Sequence, residues 1–270
     1  MGLVIRCCLI AIWLALLGLH LWRFALPGLG VVERHDLGSA LAQQIDRALT
    51  YDLLNASGKR LGGSELSVVR EDAGFRCDLR LELTGLPGIN LGQGTSAQVI
   101  RLAASEKLDD RFRLTALTAE GEVMGLSVAV EAIVDHRGLS GTLSLAGKEQ
   151  PFALAGFDRQ NGAAMDFGVT LPPGLEPGDR FKTTLLDLDL SLTPREKEAV
   201  FSVERREMLA TRGGPLELLK VLVSSDGRHR STYWCDRTGT VYRAELGNRT
   251  LAMELVRVRQ LPGQVVWPQP

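Results

Sequence analysis

The chain is poor in the residues that most often do chemistry. Of 270 residues only four are histidine and four are cysteine, and aromatic side chains make up 6%. No H-E-x-x-H, G-x-S-x-G or C-x-x-C occurs, so the metalloprotease, serine-hydrolase and dithiol signatures are all absent. His20, His35, His136 and His229 are scattered and no carboxylate cluster accompanies them, which gives no ligand set for zinc. The stretch from Gly141 to Gly147-Lys148 looks superficially like a phosphate loop. Five residues separate its glycines where four are needed, however, and Glu149 stands where a magnesium-binding hydroxyl belongs. Leu143 and Leu145 alternate there, as in a plain strand and turn. Glu120/Glu122 and Asp187/Asp189 would each share one face of a strand, the arrangement from which two carboxylates can hydrolyse a glycoside. With so few aromatic rings to stack on sugars, solvated strand faces explain them better. No catalytic residue, cofactor or metal ligand is expected, and the chain is read as non-enzymatic.

Strong charge of one sign is also missing. The net charge is -1 overall, but residues 31–194 carry -7 and residues 195–259 carry +4. Arg205-Arg206 and Arg228-His229-Arg230 supply much of the basic excess. A nucleic-acid partner needs a dense basic stripe, and none is present. Solvated strand faces account for the clusters, with attraction to anionic lipid headgroups as the alternative.

Acidic residues are absent from positions 1–30, where Arg6 and Arg23 are the only charged side chains apart from His20. Leu3 to Trp22 reads LVIRCCLIAIWLALLGLHLW; as a helix it would be about 30 Å long, the thickness of a bilayer's hydrocarbon core. Arg6 can snorkel at one end, and Trp22 and Arg23 suit the other interface. Pro27, Gly28 and Gly30 then break the helix. The segment is a membrane anchor or an export signal. Because the apolar run enters His-Leu-Trp-Arg-Phe rather than small residues at alternate positions, a retained anchor is the preferred reading. Cys7 and Cys8 precede the apolar run, which argues against lipidation. The five-residue tail leaves nothing to place in the cytoplasm, so the rest of the chain is expected on the periplasmic or exterior side of the cytoplasmic membrane.

Beyond the anchor, residues 31–48 read as a linker with a short helix around 37–48, since Ala40, Leu41, Ile45, Ala48 and Leu49 recur at near-helical spacing. Residues 49–260 form one β-rich domain, with 261–270 as a tail. In Phe75-Arg76-Cys77-Asp78-Leu79-Arg80-Leu81-Glu82-Leu83 every odd position is apolar and every even one charged, as in a strand wet on one face only. Leu126, Val128, Val130 and Ala132 repeat the pattern. Turn signals divide the strands at Asn55–Gly58, Glu71–Gly74, Asp135–Gly138, Gly213-Gly214, Asp226-Gly227 and Arg237–Gly239. One long interruption, Ala155–Asp179, contains Pro172, Pro173 and Pro177 and would cross the structure. Residues 194–210 read as strand because Val200, Ser202 and Val203 surround Phe201. Ten or more strands must curl or form a second layer, so the fold is expected to be mainly β: a large curved antiparallel sheet or incomplete barrel, a meander of hairpins.

Several segments carry a resemblance. Tyr51-Asp52-Leu53-Leu54 with Gly58-Lys59 and Leu61-Gly62 comes first, then Leu108-Asp109 with Phe112-Arg113-Leu114. Leu175-Glu176-Pro177-Gly178-Asp179 follows, and Trp234-Cys235-Asp236 with Gly239-Thr240-Val241 closes the series. In this order they resemble a bacterial cell-envelope domain of unknown function with a lipoprotein-carrier-like curved sheet, often found ahead of transglutaminase-like modules. The chain departs from that pattern at Cys235, where an aliphatic residue is usual, and has no transglutaminase module. The resemblance implies an incomplete antiparallel barrel with an apolar concave face, sometimes a lipid-binding cavity, and no catalytic residue.

Two functions follow as expectations. In the first, the concave face binds an apolar or lipid ligand, lined by Leu79, Leu81, Leu126, Val128 and Val130; these same residues would be ordinary core if another layer covers them. In the second, the domain is an accessory subunit of a cell-envelope assembly and meets its protein partners through a sheet edge or loops. Cys77 and Cys235, the only cysteines beyond the leader, are either two buried thiols or one disulfide contributing about 3–5 kcal/mol.

Overall fold

The structure is a computed structural model that describes residues 33–34, 37–84, 99–123, 125–157, 171–188, 194–225, 228–246 and 250–261. The chain divides into two units, Met1–Arg34 and His35–Pro270. Of the first, only the two-residue strand Glu33–Arg34 is described. The expected membrane helix at 3–22 lies outside the described residues, and among those described no helix is long and apolar enough to cross a membrane.

The second unit opens with helix α1, Leu37–Ala42. It is shorter than the expected 37–48, for a local reason. Gln43 and Gln44 donate their backbone N–H groups three residues back, to Ala40 and Leu41, which tightens the last turn. Asp46 then takes a positive φ of 58°, and Ala48 and Leu49, apparently helical in spacing, belong to the first strand.

Fourteen strands follow. The first eight are β1 (Arg47–Asn55), β2 (Arg60–Glu71), β3 (Gly74–Thr84), β4 (Val99–Leu108), β5 (Leu114–Val123), β6 (Leu126–Asp135), β7 (Gly138–Leu145) and β8 (Lys148–Ala155). The other six are β9 (Arg180–Leu188), β10 (Pro194–Thr211), β11 (Gly214–Ser225), β12 (Arg228–Cys235), β13 (Val241–Leu246) and β14 (Leu251–Gln260). Each pairs antiparallel with its successor in sequence, except that β8 does not pair with β9. Instead β14 pairs with β1, through Met253 opposite Leu53, and joins the two meanders into one sheet. Within this unit the sheet does not close: β8 and β9 stand at opposite ends of the order of its fourteen strands, although β8 comes within 8 Å of β10. Strand β8 is mostly exposed and contains Pro151, a combination that blunts the row of unpaired backbone groups it presents.

Alternation assigns one face of this sheet to apolar residues. A single row of paired positions crosses eleven strands: Val203, Val221, Tyr233, Ala244, Met253, Leu53, Gly62, Leu83, Ile100, Val123 and Leu126. Its β10 end is sealed, with Val203 at 3% exposure, whereas Leu126 at the β6 end is 50% exposed. Phe181 and Phe201 stack beside the sealed end, ring centroids 4.8 Å apart.

The crossing segment between β8 and β9 adds Phe157, Leu171 and Leu175 to this core. It docks on the β12–β13 turn, where the Leu171 N–H donates to the Gly239 carbonyl at 3.1 Å and the Gly174 N–H to the Arg237 carbonyl at 2.9 Å. Gly239 has a φ of +82°, and a Cβ there would lie 1.8 Å from the Leu171 carbonyl oxygen. Only glycine satisfies both constraints.

The segments that carry the family resemblance are mostly turn caps. Asn55 Oδ1 accepts from the backbone N–H of Ser57 and Lys59, Asp109 Oδ1 from Arg111 and Arg113, and Asp236 Oδ1 from Thr238 and Thr240. These motifs therefore set hairpin geometry rather than chemistry.

Candidate functional site

The register brings the five expected lining residues onto one face and sorts four of them into two neighbouring rows. Leu81 and Val128 share a row with Leu102 and Gly121, and Leu79 and Val130 share the next with Ala104 and Ala119. Leu126 sits one row further out, at the exposed edge. Leu79, Leu81 and Val130 are buried, and Val128 is half-buried. Between the flanking Leu and Val side chains lie about 14 Å of sheet, three strand spacings, occupied at the centre by Leu102, Gly121, Ala104 and Ala119. The result is a shallow apolar trough across β3 to β6. Leu81 belongs to the main apolar cluster, whereas Leu79, Ala104, Val130 and Leu143 are buried outside it.

The next row inward reads Cys77, Glu106, Leu117 and Ala132. Glu106 occupies the apolar phase of β4, in step with Ile100, Leu102, Ala104 and Leu108, and is 7% exposed. Burial pushes its carboxyl up to about 8, because desolvation penalises the charged form and no cation among the described residues pairs with it. Its register partner Cys77 is raised well above the ordinary thiol value, first by burial and then by the Glu106 and Asp78 charges. Burial pushes Cys235 up to about 12. Both cysteines are free and buried, Cys77 on β3 and Cys235 at the end of β12. Ser64 of β2, opposite Leu81, faces the same side at 4% exposure with no hydrogen-bond partner for its Oγ.

The opposite, polar face was not singled out by sequence reasoning. It carries two shallow grooves of about 800 and 520 Å³, which share Arg80, Ala103, Glu120 and Ala129. The signal was present: Ala103, Ser127, Ala129 and Ser144 are small residues at positions where the alternation would otherwise place long polar side chains. Glu120 and Glu122 stand exposed on this face, as a solvated pair. The side chains of Asp187 and His229 and the whole of His20, His35 and Asp189 lie outside the described residues; His136 is exposed in the β6–β7 turn. Among the described residues no group of His, Cys, Asp and Glu could hold a metal ion.

Asp52, also on the polar face, is buried beneath two guanidinium groups. Arg60 Nε lies 2.7 Å from its Oδ1, and Arg212, at the tip of the long β10–β11 hairpin, reaches its Oδ2. The hairpin is thereby tied to the second meander's neighbour, β1. Where this fold buries a carboxylate on the wet face, it provides cations.

These features define an open, single-sheet antiparallel β domain with an apolar face. No family model matches the chain, and no curated protein matches it. Among solved structures it is similar to a β-barrel-like protein of a domain of unknown function (DUF1849) from Brucella abortus, at 12% identity and a TM-score of 0.49, covering 78% of this chain and 96% of that one. It is also similar to a DUF1089 family protein from Pseudomonas aeruginosa, at 16% identity and TM-score 0.37, covering 66% of this chain and 87% of that one. A third likeness is to a protein with a YmcC-like fold from Bacteroides fragilis, provisionally described as exported, at 11% identity and TM-score 0.27, covering 80% and 96%. Likenesses this distant assign no function.

Proposed function

We propose that this is a non-enzymatic, membrane-anchored binding domain that faces the periplasm or exterior and holds an apolar ligand, such as an acyl chain, on its apolar face. One observation carries the proposal: the centre of the wide apolar face between β3 and β6 is filled mostly by small residues. About eight strands enclose a barrel interior that side chains can just fill. Here the sheet has fourteen antiparallel strands, and Gly121, Ala104 and Ala119 stand with Leu102 in the middle of its β3–β6 portion. The half-exposed end of the row, from Ile100 and Val123 to Leu126, gives a ligand a way in. The leader supports the same reading, since a domain held at a bilayer meets acyl chains at high local concentration.

Mass spectrometry of the full chain, purified in mild detergent and then extracted with solvent, tests this. An apolar molecule recovered in near-stoichiometric amount, and lost when Ala119 is replaced by phenylalanine, is expected. Recovery of the same lipid mixture from both proteins would show only detergent-like carry-over and would contradict the proposal.

A further inference from the structure

Glu106 is the one described carboxylate that the fold buries without a partner. Asp52 shows what the chain does when it buries such a group for stability: two arginines close on it. Around Glu106 the flanking strands offer Cys77 from β3 and Leu117 from β5, and neither is a cation. Burial raises its pKa, and no cation among the described residues is paired with it. A carboxylate placed at the apolar phase of a strand, two residues from the small-residue floor at Ala104, has its counter-charge still to come. The chemistry of that missing partner is constrained. A ligand carboxylate could pair only with the protonated form of Glu106 and would keep it from ionising. An alcohol would donate one hydrogen bond but bring no charge to balance the carboxylate. An ammonium group restores the charged form and accepts nothing that the site must otherwise supply. Ser64, whose Oγ is also buried without a partner on the same face, adds a second polar group to an otherwise apolar surface.

We propose that Glu106 anchors the head group of the ligand, and that the ligand is an aliphatic chain bearing a cationic amine. The chain lies along the trough over Ala104, Ala119 and Gly121, and the ammonium donates to the Glu106 carboxylate. This rests on the apolar-ligand reading and narrows it to one chemical class.

Calorimetry on the full chain in lipid nanodiscs, with empty nanodiscs as the partition control, tests it using octylamine, octanol and octanoate. Octylamine is expected to bind about tenfold or more tighter than octanol, the ratio a charged hydrogen bond supplies. At neutral pH its binding should release about one proton, because Glu106 starts protonated and ends as a carboxylate; titration in buffers of different ionisation enthalpy reads this. Glu106→Gln should remove both the preference and the proton. Because the proton is measured on the wild-type chain, a misfolded variant does not block the test. Octylamine no tighter than octanol, octanoate tightest, or no proton released would each overturn the head-group assignment while the apolar-ligand reading stands. Failure of octanol and octylamine alike would remove both.

Discussion

Glu106 links the site to stability through a proton. Its carboxyl titrates near 8 when folded against an ordinary 4.5 when unfolded. Between those values the folded state holds a proton that the unfolded state has lost, so stability falls as pH rises. The contribution is fully present below about 4.5 and gone above about 8, with a slope near 1.4 kcal/mol per pH unit between them. Denaturant midpoints of wild type and Glu106→Gln, compared from acid to mildly alkaline pH, should converge at the acid end. Above about 8 the variant should be the more stable by a few kcal/mol. Parallel curves would mean that the carboxyl is solvated after all. Asp52 is instead held by two ion pairs: Asp52→Asn should cost about 2 kcal/mol, since two charged hydrogen bonds weaken but both guanidiniums can turn to water. The thiols are simpler. Burial holds Cys77 and Cys235 protonated, so a thiol reagent should label neither in the folded protein and both after unfolding without reductant. Glu106 was visible in the sequence as a break in the alternation of Ile100, Leu102, Ala104 and Leu108. Its lack of a partner was not, because that depends on which strands flank β4.

At the scale of elements, local signals did their work where the physics is local. Glycine and Asx turns placed the hairpins at Asn55–Gly58, Glu71–Gly74 and Asp135–Gly138 because each turn is decided by the φ and side-chain acceptors of a few residues. The 194–210 stretch reads as strand from the β-branched residues around Phe201, and β10 spans Pro194–Thr211. The helix failed at its C-terminal end, because Ala48 and Leu49 satisfy helical and strand periods alike and pairing with β2 and β14 decides between them. The Ala155–Asp179 interruption was legible as a crossing loop, but its docking point on Gly239 was not. Replacing Gly239 by alanine forces a Cβ into the Leu171 carbonyl at a positive φ. We expect a loss of about 2 kcal/mol or more and faster proteolysis between β8 and β9, with the β1–β7 hairpins still protected from hydrogen exchange. Uniform loss of protection would mean that the loop is not a separable docking element.

For the whole molecule, fold class was legible and strand order was not. Alternation and turn spacing require a large antiparallel sheet that curls, and the structure is such a sheet, open between β8 and β9. The pairing of β14 with β1 joins residues about two hundred positions apart, and no local pattern encodes it. That pairing makes the eleven-strand apolar row continuous, and it also places the small residues of β4 and β5 far from the sealed end. The trough is therefore a property of the topology, composed of residues that look like unremarkable strand positions one at a time. Its most direct test is equilibrium binding of an apolar fluorescent probe to the full chain in nanodiscs, before and after Ala119→Phe, with the circular dichroism of both proteins as the control for folding. Saturable binding that the phenylalanine abolishes while the β spectrum is unchanged is the expected result; undiminished binding by a folded Ala119→Phe protein would contradict a ligand site on this face.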